Sequence, residues 1–332
     1  MPIASSSAIA HHDAYRSVWE RLVAARRVLL VSPKHPDGDS VGSICGLGAA
    51  LRDAGKDVVL YCPDPIPVQF DGIPGIQGIV QRGRGEGGDG TFDAIVIVDS
   101  SDIAFAGVAD ELPKWKATDG QLIVIDHHAT NTMYGDVNLV LPASSTTQII
   151  TAMLDACHIP ITPAIATALY FGLITDTDSL TNPATSAAAV ATAARLVMAG
   201  ARPGPVLHAV YRRKPIAVLK LWGAAFARLR VHPRWGVATC VLLPEDFRGL
   251  SADALEQASG LSNFLQTILP VRAICVLSDR GDGIVRGSLR TTRDGVDLGA
   301  LAEALGGGGH KKASGFGVPG ALVQHGDSWK VV

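Results

Sequence analysis

At 332 residues, with 47% hydrophobic and 18% charged residues, the chain is long enough for two domains with well-filled cores. Its formal net charge of -2 offers no general attraction to long nucleic acid, whose trackers usually carry a basic face, so any nucleic-acid substrate is expected to be short. No segment approaches the ~20 uninterrupted apolar residues of a membrane span. The stretch from Met1 to His12 is small and polar, with no apolar signal core, which points to a cytoplasmic protein without a membrane partner. Cys45, Cys62, Cys157, Cys240 and Cys275 form no C-x-x-C pair and read as reduced, mostly buried thiols.

The first half alternates strands and helices. Arg27 to Ser32 is a short apolar run of the kind that forms a buried parallel strand. A helix follows from Ser40 to Ala54, with Val41, Ile44, Leu47 and Leu51 on one face and Gly55 as its stop. Val58–Tyr61, Ala94–Val98 and Leu122–Ile125 are further strands, and Ser145–Ala156 and Pro163–Leu173 read as helices. This is the pattern of an α/β domain with a parallel sheet. The glycine-rich, charged stretch from Gln81 to Gly90 reads as an exposed loop.

A boundary is expected near residues 200–205, where Gly200, Pro203, Gly204 and Pro205 cluster. Val206 to Leu229 looks helical and would link the domains. The division is therefore a first domain over residues 1–200, a helical linker over 201–230, and a smaller α/β domain over 231–332. In the latter, Gly236–Leu243 is strand-like and Ala252–Leu269 helical. Arg272–Ser278 and Gly283–Thr291 form strands joined by a turn at Asp279–Asp282, and Leu298–Leu305 is a short helix running into Gly306–His310.

Four polar motifs interrupt this pattern, each at the end of a strand-like or helical run. They are His35-Pro36-Asp37-Gly38-Asp39-Ser40, then Val98-Asp99, then Asp126-His127-His128, and last Thr175-Asp176-Thr177-Asp178. Taken singly, each has a plainer reading. Pro-Asp-Gly is a common turn, Asp99 and Asp176 sit where residues cap helices, and His127 has the setting of a core histidine. An EF-hand is disfavoured because no acidic residue closes the loop after Gly42. Together, carboxylates and an imidazole brought to the carboxyl edge of one sheet are what a pair of hard divalent cations needs. Oxygen ligands with one imidazole suit manganese or magnesium better than zinc. The chemistry that follows is metal-assisted hydrolysis of a phosphate ester.

In these motifs, with Asn131, Gly135-Asp136 and Asn138, Gly172-Leu173-Ile174 and the run Gly306–Gly315, the chain resembles the DHH phosphoesterase superfamily with its DHH-associated carboxyl-terminal domain. The likeness runs from about Val28 to about Phe316. It is nearest to bacterial RecJ-like enzymes that degrade very short oligoribonucleotides and dephosphorylate phosphoadenosine phosphate. The resemblance implies a catalytic α/β domain, a smaller α/β domain joined by a helical linker, and an active site in the cleft between them. It implies two divalent cations, with Asp99 bridging, Asp37 serving one, and Asp39, His127 and Asp176 the other. It makes His128 a proton donor or stabiliser near the scissile phosphate, with Asp126 orienting an imidazole. Gly307, Gly308, Gly309 and His310 would meet the substrate, as would Arg290, with Ser288 on the same strand face. Relatives are often dimers, so a homodimer is the assembly implied.

Two positions depart from the family pattern. The family usually has a metal-binding histidine four residues before the first motif aspartate, where this chain has Pro33, which has no ligand atom in its side chain. His35 lies two residues on, and residues two apart in an extended segment share a face, so His35 is the candidate substitute. Asp178 stands where the family commonly has glycine. Three other readings are weighed. One is a phosphodiesterase for cyclic di-AMP or its linear product. Another is a nucleotide-binding regulator without catalysis, prompted by Pro33. The last is a dinucleotide-binding oxidoreductase, prompted by Gly42, Gly46 and Gly48, whose spacing misses G-x-G-x-x-G.

Overall fold

A computed structural model describes residues 6–82, 90–211, 215–251, 255, 258, 260–326 and 328–332. Most of the loop expected over Gln81–Gly90 and part of the helix expected from Ala252 therefore lie outside the described residues. The chain divides into two compact units, Met1–Arg213 and Lys214–Val332.

In the first unit, strands buried on both faces make a parallel sheet, as continuous apolar runs require. The strands are β1 (Arg27–Val31), β2 (Asp57–Cys62), β3 (Ile79–Gln81), β4 (Phe92–Val98), β5 (Lys116–Asp126) and β6 (Val137–Val140). Their order is β3-β2-β1-β4-β5-β6, and every pairing is parallel. Side chains alternate across the sheet. Val28, Leu30, Val96 and Ile125 join a large core on one face, and Leu29, Val31, Ile95 and Ile97 a smaller one on the other.

Helices α1 (Ser6–Ala24), α2 (Gly38–Asp53), α5 (Thr146–Ala156), α6 (Pro163–Asp176) and α7 (Ala187–Met198) cover the first face; the short α3 (Ile103–Ala106) and α4 (Leu112–Trp115) lie on the second. The order of this sheet reverses between β1 and β4. Connections leaving those two strands run to opposite sides, which opens a crevice outside their carboxyl ends.

Glycines let α2 and α6 approach. A Cβ on Gly42 would lie 2.6 Å from the Ala168 carbonyl oxygen, and one on Gly46 2.6 Å from Leu169 Cδ2. This close seam sets α2 and α6 side by side over the sheet. The α2 amino end is closed by Asp37, whose carboxylate accepts from Ser40 N while Ser40 Oγ accepts from Asp37 N.

The helical stretch expected over Val206–Leu229 is two helices, α8 (Pro203–Tyr211) and α9 (Ile216–Ala227). Pro215 is the N-cap of α9, where a ring that fixes φ and lacks an N–H suits a helix start and not a helix interior. Helix α8 packs on α6 in the first unit, and α9 on β8 (Val237–Leu242) in the second.

The second unit adds β7 (Arg230–His232), β9 (Ala273–Asp279), β10 (Ile284–Arg290), β11 (Gly308–Gly309) and β12 (Ala313–Pro319) to β8 in a mixed sheet of order β11-β12-β10-β9-β8-β7. Helices α9 and α10 (Leu261–Ile268) cover one face through Leu221, Ala225, Leu261 and Leu265; α11 (Leu298–Ala304) covers the other through Leu298 and Ala302. A hairpin of β13 (Leu322–His325) and β14 (Ser328–Val331) follows.

Gly42→Val puts two methyl groups against the α6 backbone. The expected loss is ~1–3 kcal/mol of stability, the usual cost of overpacking, measured from the denaturant midpoint of the full chain. An unchanged midpoint would mean that the seam yields freely.

Candidate functional site

Asp37 follows β1, Asp99 follows β4, and His127 and His128 follow β5. The crevice at the sheet's switch point thus receives one motif from each of three adjacent strands. Asp39 lies in the first turn of α2 and Asp176 is the last residue of α6, so the glycine seam brings these two carboxylates to the same place. Gly172 leaves room for this: a Cβ there would lie 2.8 Å from Asp39 Oδ1.

Two overlapping groups of ligand atoms result, each within 4.8 Å of one another: Asp99, Asp126, His127 and His128, and Asp39, His127 and Asp176. His127 Nε2 lies 3.5 Å from Asp99 Oδ1 and 3.4 Å from Asp176 Oδ2, and its Nδ1 is 3.2 Å from the Ala143 carbonyl oxygen. Asp126 is fully buried and gathers the second histidine. Its Oδ1 accepts from His128 Nδ1 at 2.8 Å and from His127 N at 2.8 Å, and its Oδ2 accepts from Asn131 Nδ2 at 2.6 Å. Asp99 has φ of 54°, a left-handed backbone that non-glycine residues adopt at a cost. Asp178, Ser179 and Leu180 also have left-handed backbone, one residue beyond Asp176 and after Thr177 at φ of -92°.

The electrostatics follow from crowding. Burial, then the charge of Asp99, raises Asp39 to about 6, and burial, then Asp39, raises Asp176 to about 7. Asp37 and Asp99 are raised first by burial as well, then by Asp39 and Asp37 respectively. For His127, burial opposes the charged form, but the Asp99 hydrogen bond and the charges of Asp39 and Asp176 outweigh it and push its pKa up to about 10. His128 is raised chiefly by its hydrogen bond to Asp126. Burial works against the charge of Asp126, yet the bonds from His128 and Asn131 prevail and lower its pKa.

Among the described residues, Asp39, Asp99 and Asp176 form no ion pair with lysine or arginine; their cationic neighbours are the two histidines. Buried negative charge of this kind is held by pairing or by coordination to a metal. Carboxylate oxygens with an imidazole are the donors that manganese and magnesium accept. The donor set therefore fits divalent cations, with Asp39, Asp99, His127 and Asp176 as its best-gathered part.

Asp37 belongs to neither group of ligand atoms. One of its oxygens is already engaged as the α2 cap. His35 belongs to neither group, and its side chain is 84% exposed with φ of 52°. Its N donates to Asp64 Oδ2 at 2.9 Å, and its Nδ1 lies 3.5 Å from the same oxygen. Asp64 had no motif to mark it in the sequence.

Thr146 and Thr147 were also unmarked. They bind Asp39 and Asp99 through amides and hydroxyls, and their one legible signal is the Ser144-Ser145-Thr146-Thr147 run that opens α5.

The remaining expected residues lie in the second unit. Arg290 Nε donates to Asn263 Oδ1 at 2.6 Å, and Ser288 Oγ lies 3.1 Å from Ser262 Oγ. Gly308 and Gly309 form strand β11 against Gly315 and Ser314 instead of an open loop. Gly307 has no room for a Cβ beside Gly315 and Phe316, and His310 is exposed, its N donating to Ala313 O at 2.8 Å.

Two family descriptions match the chain: the DHH family, N-terminal domain, over residues 27–173, and the DHHA1 domain over residues 237–325. The chain is similar to the bifunctional oligoribonuclease and PAP phosphatase NrnA of Thermus thermophilus, 27% identical over 311 residues, which are 91% of this chain and 90% of that protein. The Bacillus subtilis protein of the same name is 25% identical over 312 residues, 91% of this chain and 90% of that one. An exopolyphosphatase-related protein from Bacteroides fragilis shares the fold, with a TM-score of 0.79, 24% identity, and coverage of 95% and 92% of the two chains.

The raised carboxylates make a signed prediction. Asp39 and Asp176 hold protons more tightly folded than unfolded, so without a cation their contribution to stability falls as pH rises from 3.8 through about 7. The His127 contribution is complete below 6.5 and fades only toward about 10. A divalent cation competes with these protons. Manganese at about a hundred times its dissociation constant should therefore add ~2.7 kcal/mol at about pH 7 and clearly less at about pH 5. Thermal melts with manganese and with chelator at both pH values check this; equal gains would contradict it.

Proposed function

Since the chain belongs to the DHH family and is a hydrolase acting on phosphate esters, we propose that its substrates are short oligoribonucleotides and phosphoadenosine phosphate, hydrolysed with two divalent cations, manganese before magnesium. The observation that carries the reading is the convergence of Asp39, Asp99, Asp176 and His127 at the sheet's switch point. The names and near-complete coverage of the Thermus and Bacillus relatives support the substrate class. The net charge of -2 favours short substrates over long nucleic acid.

Divalent cations bound by Asp37, Asp39, Asp99, His127 and Asp176 would neutralise phosphoryl oxygens and acidify attacking water. The rest is done by the chain itself. Asp126 fixes His128 through Nδ1, leaving Nε2 for the substrate. The Asp126 hydrogen bond raises the His128 pKa and so favours the protonated ring, which can donate to the leaving oxygen or balance charge developing on the phosphate. In the second unit, Arg290 offers a guanidinium to a substrate phosphate, with its Nε anchored on Asn263 and Ser288 beside it on β10. The exposed Gly308, Gly309 and His310 are the other substrate contacts, whereas the Gly307 amide already donates to Ala302 O at 2.8 Å.

A second reading has its own observation. With Pro33 in place of a ligand and His35 turned to Asp64, the cation site served by Asp37 is short of donors, which favours a regulator that binds nucleotides without turning them over.

The test is product release from phosphoadenosine phosphate, a diadenylate, a short RNA and cyclic di-AMP, with manganese, with magnesium and with chelator. Release from the first three that vanishes with chelator is expected. Binding without turnover of any of them would favour the regulator, and preferential cleavage of cyclic di-AMP would move the substrate class to cyclic dinucleotides. His128→Ala should slow release by ~10²–10⁴-fold while leaving manganese stoichiometry unchanged. If His35→Ala alters neither rate nor stoichiometry, His35 is not the substitute ligand.

A further inference from the structure

We propose that Thr146 and Thr147, at the amino end of α5, are positioning residues that fix the lone pairs of Asp39 and its spacing from Asp99; this rests on the metal-dependent reading of the site. Helix α5 has its own cap in Ser145, whose Oγ accepts from Gln148 N at 3.0 Å. That leaves the amides of the first two helical residues, which have no partner inside any helix. Both point at Asp39, a residue 107 and 108 positions earlier in the chain. Thr146 N donates to Asp39 Oδ2 at 2.6 Å and Thr147 N to Asp39 Oδ1 at 3.0 Å. Thr147 Oγ1 adds a second bond to Oδ1 at 2.7 Å.

A carboxylate oxygen has two lone pairs. Oδ1 spends both on Thr147, and Oδ2 spends one on Thr146. One lone pair remains, on Oδ2, so Asp39 can serve a cation through a single oxygen and in one direction. Thr146 also uses its hydroxyl, which donates to Asp99 Oδ1 at 3.1 Å. One residue thereby holds Asp39 by its amide and Asp99 by its side chain, and sets the distance between two carboxylates that repel each other. All four residues are buried, so water does not substitute for these bonds.

The contacts are unlike ordinary helix capping. Each places an N–H or O–H donor on a carboxylate oxygen of Asp39 or Asp99, from an element other than the one that carries that aspartate. The buried amino end of α5 also turns the positive end of its dipole toward Asp39.

The test uses the full chain and manganese as the probe, with affinity read by titration calorimetry and by the manganese paramagnetic signal. Thr147→Val keeps the shape and both amides but removes the Oγ1 donor. A loss of ~10–100-fold in manganese affinity is expected, as for other groups that orient metal ligands, and Thr147→Ser should restore it. Thr146→Val should weaken manganese similarly, with Thr146→Ser restoring it, through Asp99 instead of Asp39. Melts in chelator separate position from fold: the Val and Ser variants should melt close together while their affinities differ. Wild-type affinity in both Val variants would overturn the proposal, as would equal losses in Val and Ser variants. A wild-type chain that binds no manganese would instead sink the metal-dependent reading beneath it.

Discussion

The constraint on which the first unit depends is the cost of holding the buried Asp39 and Asp99 beside the half-buried Asp176. Like charges at such distances raise one another's pKa and oppose folding. Three structural features offset that cost. The glycine seam between α2 and α6 brings Asp39 and Asp176 within reach of His127. The α5 amino end saturates most of Asp39. His127, pushed up to about 10, stands as a cation among them. An imidazolium there offsets part of the mutual repulsion of the carboxylates. It must give up its proton to ligate, so a divalent cation replaces that proton with a larger positive charge.

Legibility in the sequence followed the kind of interaction. Parallel strands were plain because burial on both faces leaves unbroken apolar runs, as in Ala94–Val98 and Leu122–Ile125. Asp99 and His127 were legible because a charged residue closing such a run has few structural reasons to be there. Helix α1 was not, because its buried residues Val18, Trp19 and Leu22 are set among His11, His12, Asp13 and Arg16 and give little amphipathic contrast. Strand β6 was missed for a related reason: four residues at a sheet edge carry too short a pattern. Thr146 and Thr147 act through amides as well as hydroxyls, and an amide donor is invisible in residue type. Gly308 and Gly309 looked like an open anion loop, but register with Ser314 and Gly315 makes them a strand, a pairing set by residues further along the chain.

The asymmetry between the two sides of the site has a local cause. Asp39 lies inside the first turn of α2, where its carboxylate is free to leave the helix and meet α5. Asp37 is the cap of that same helix, and one of its oxygens holds Ser40 N. Capping is worth about 0.5–2 kcal/mol, so Asp37 can turn fully to a cation only by giving up part of the α2 start. A histidine at position 33 would relieve that conflict by supplying a donor from the end of β1. Proline there supplies none, and His35 is drawn to Asp64 on the other side of the loop. The seam, the α5 clamp and His127 all serve the Asp39 side.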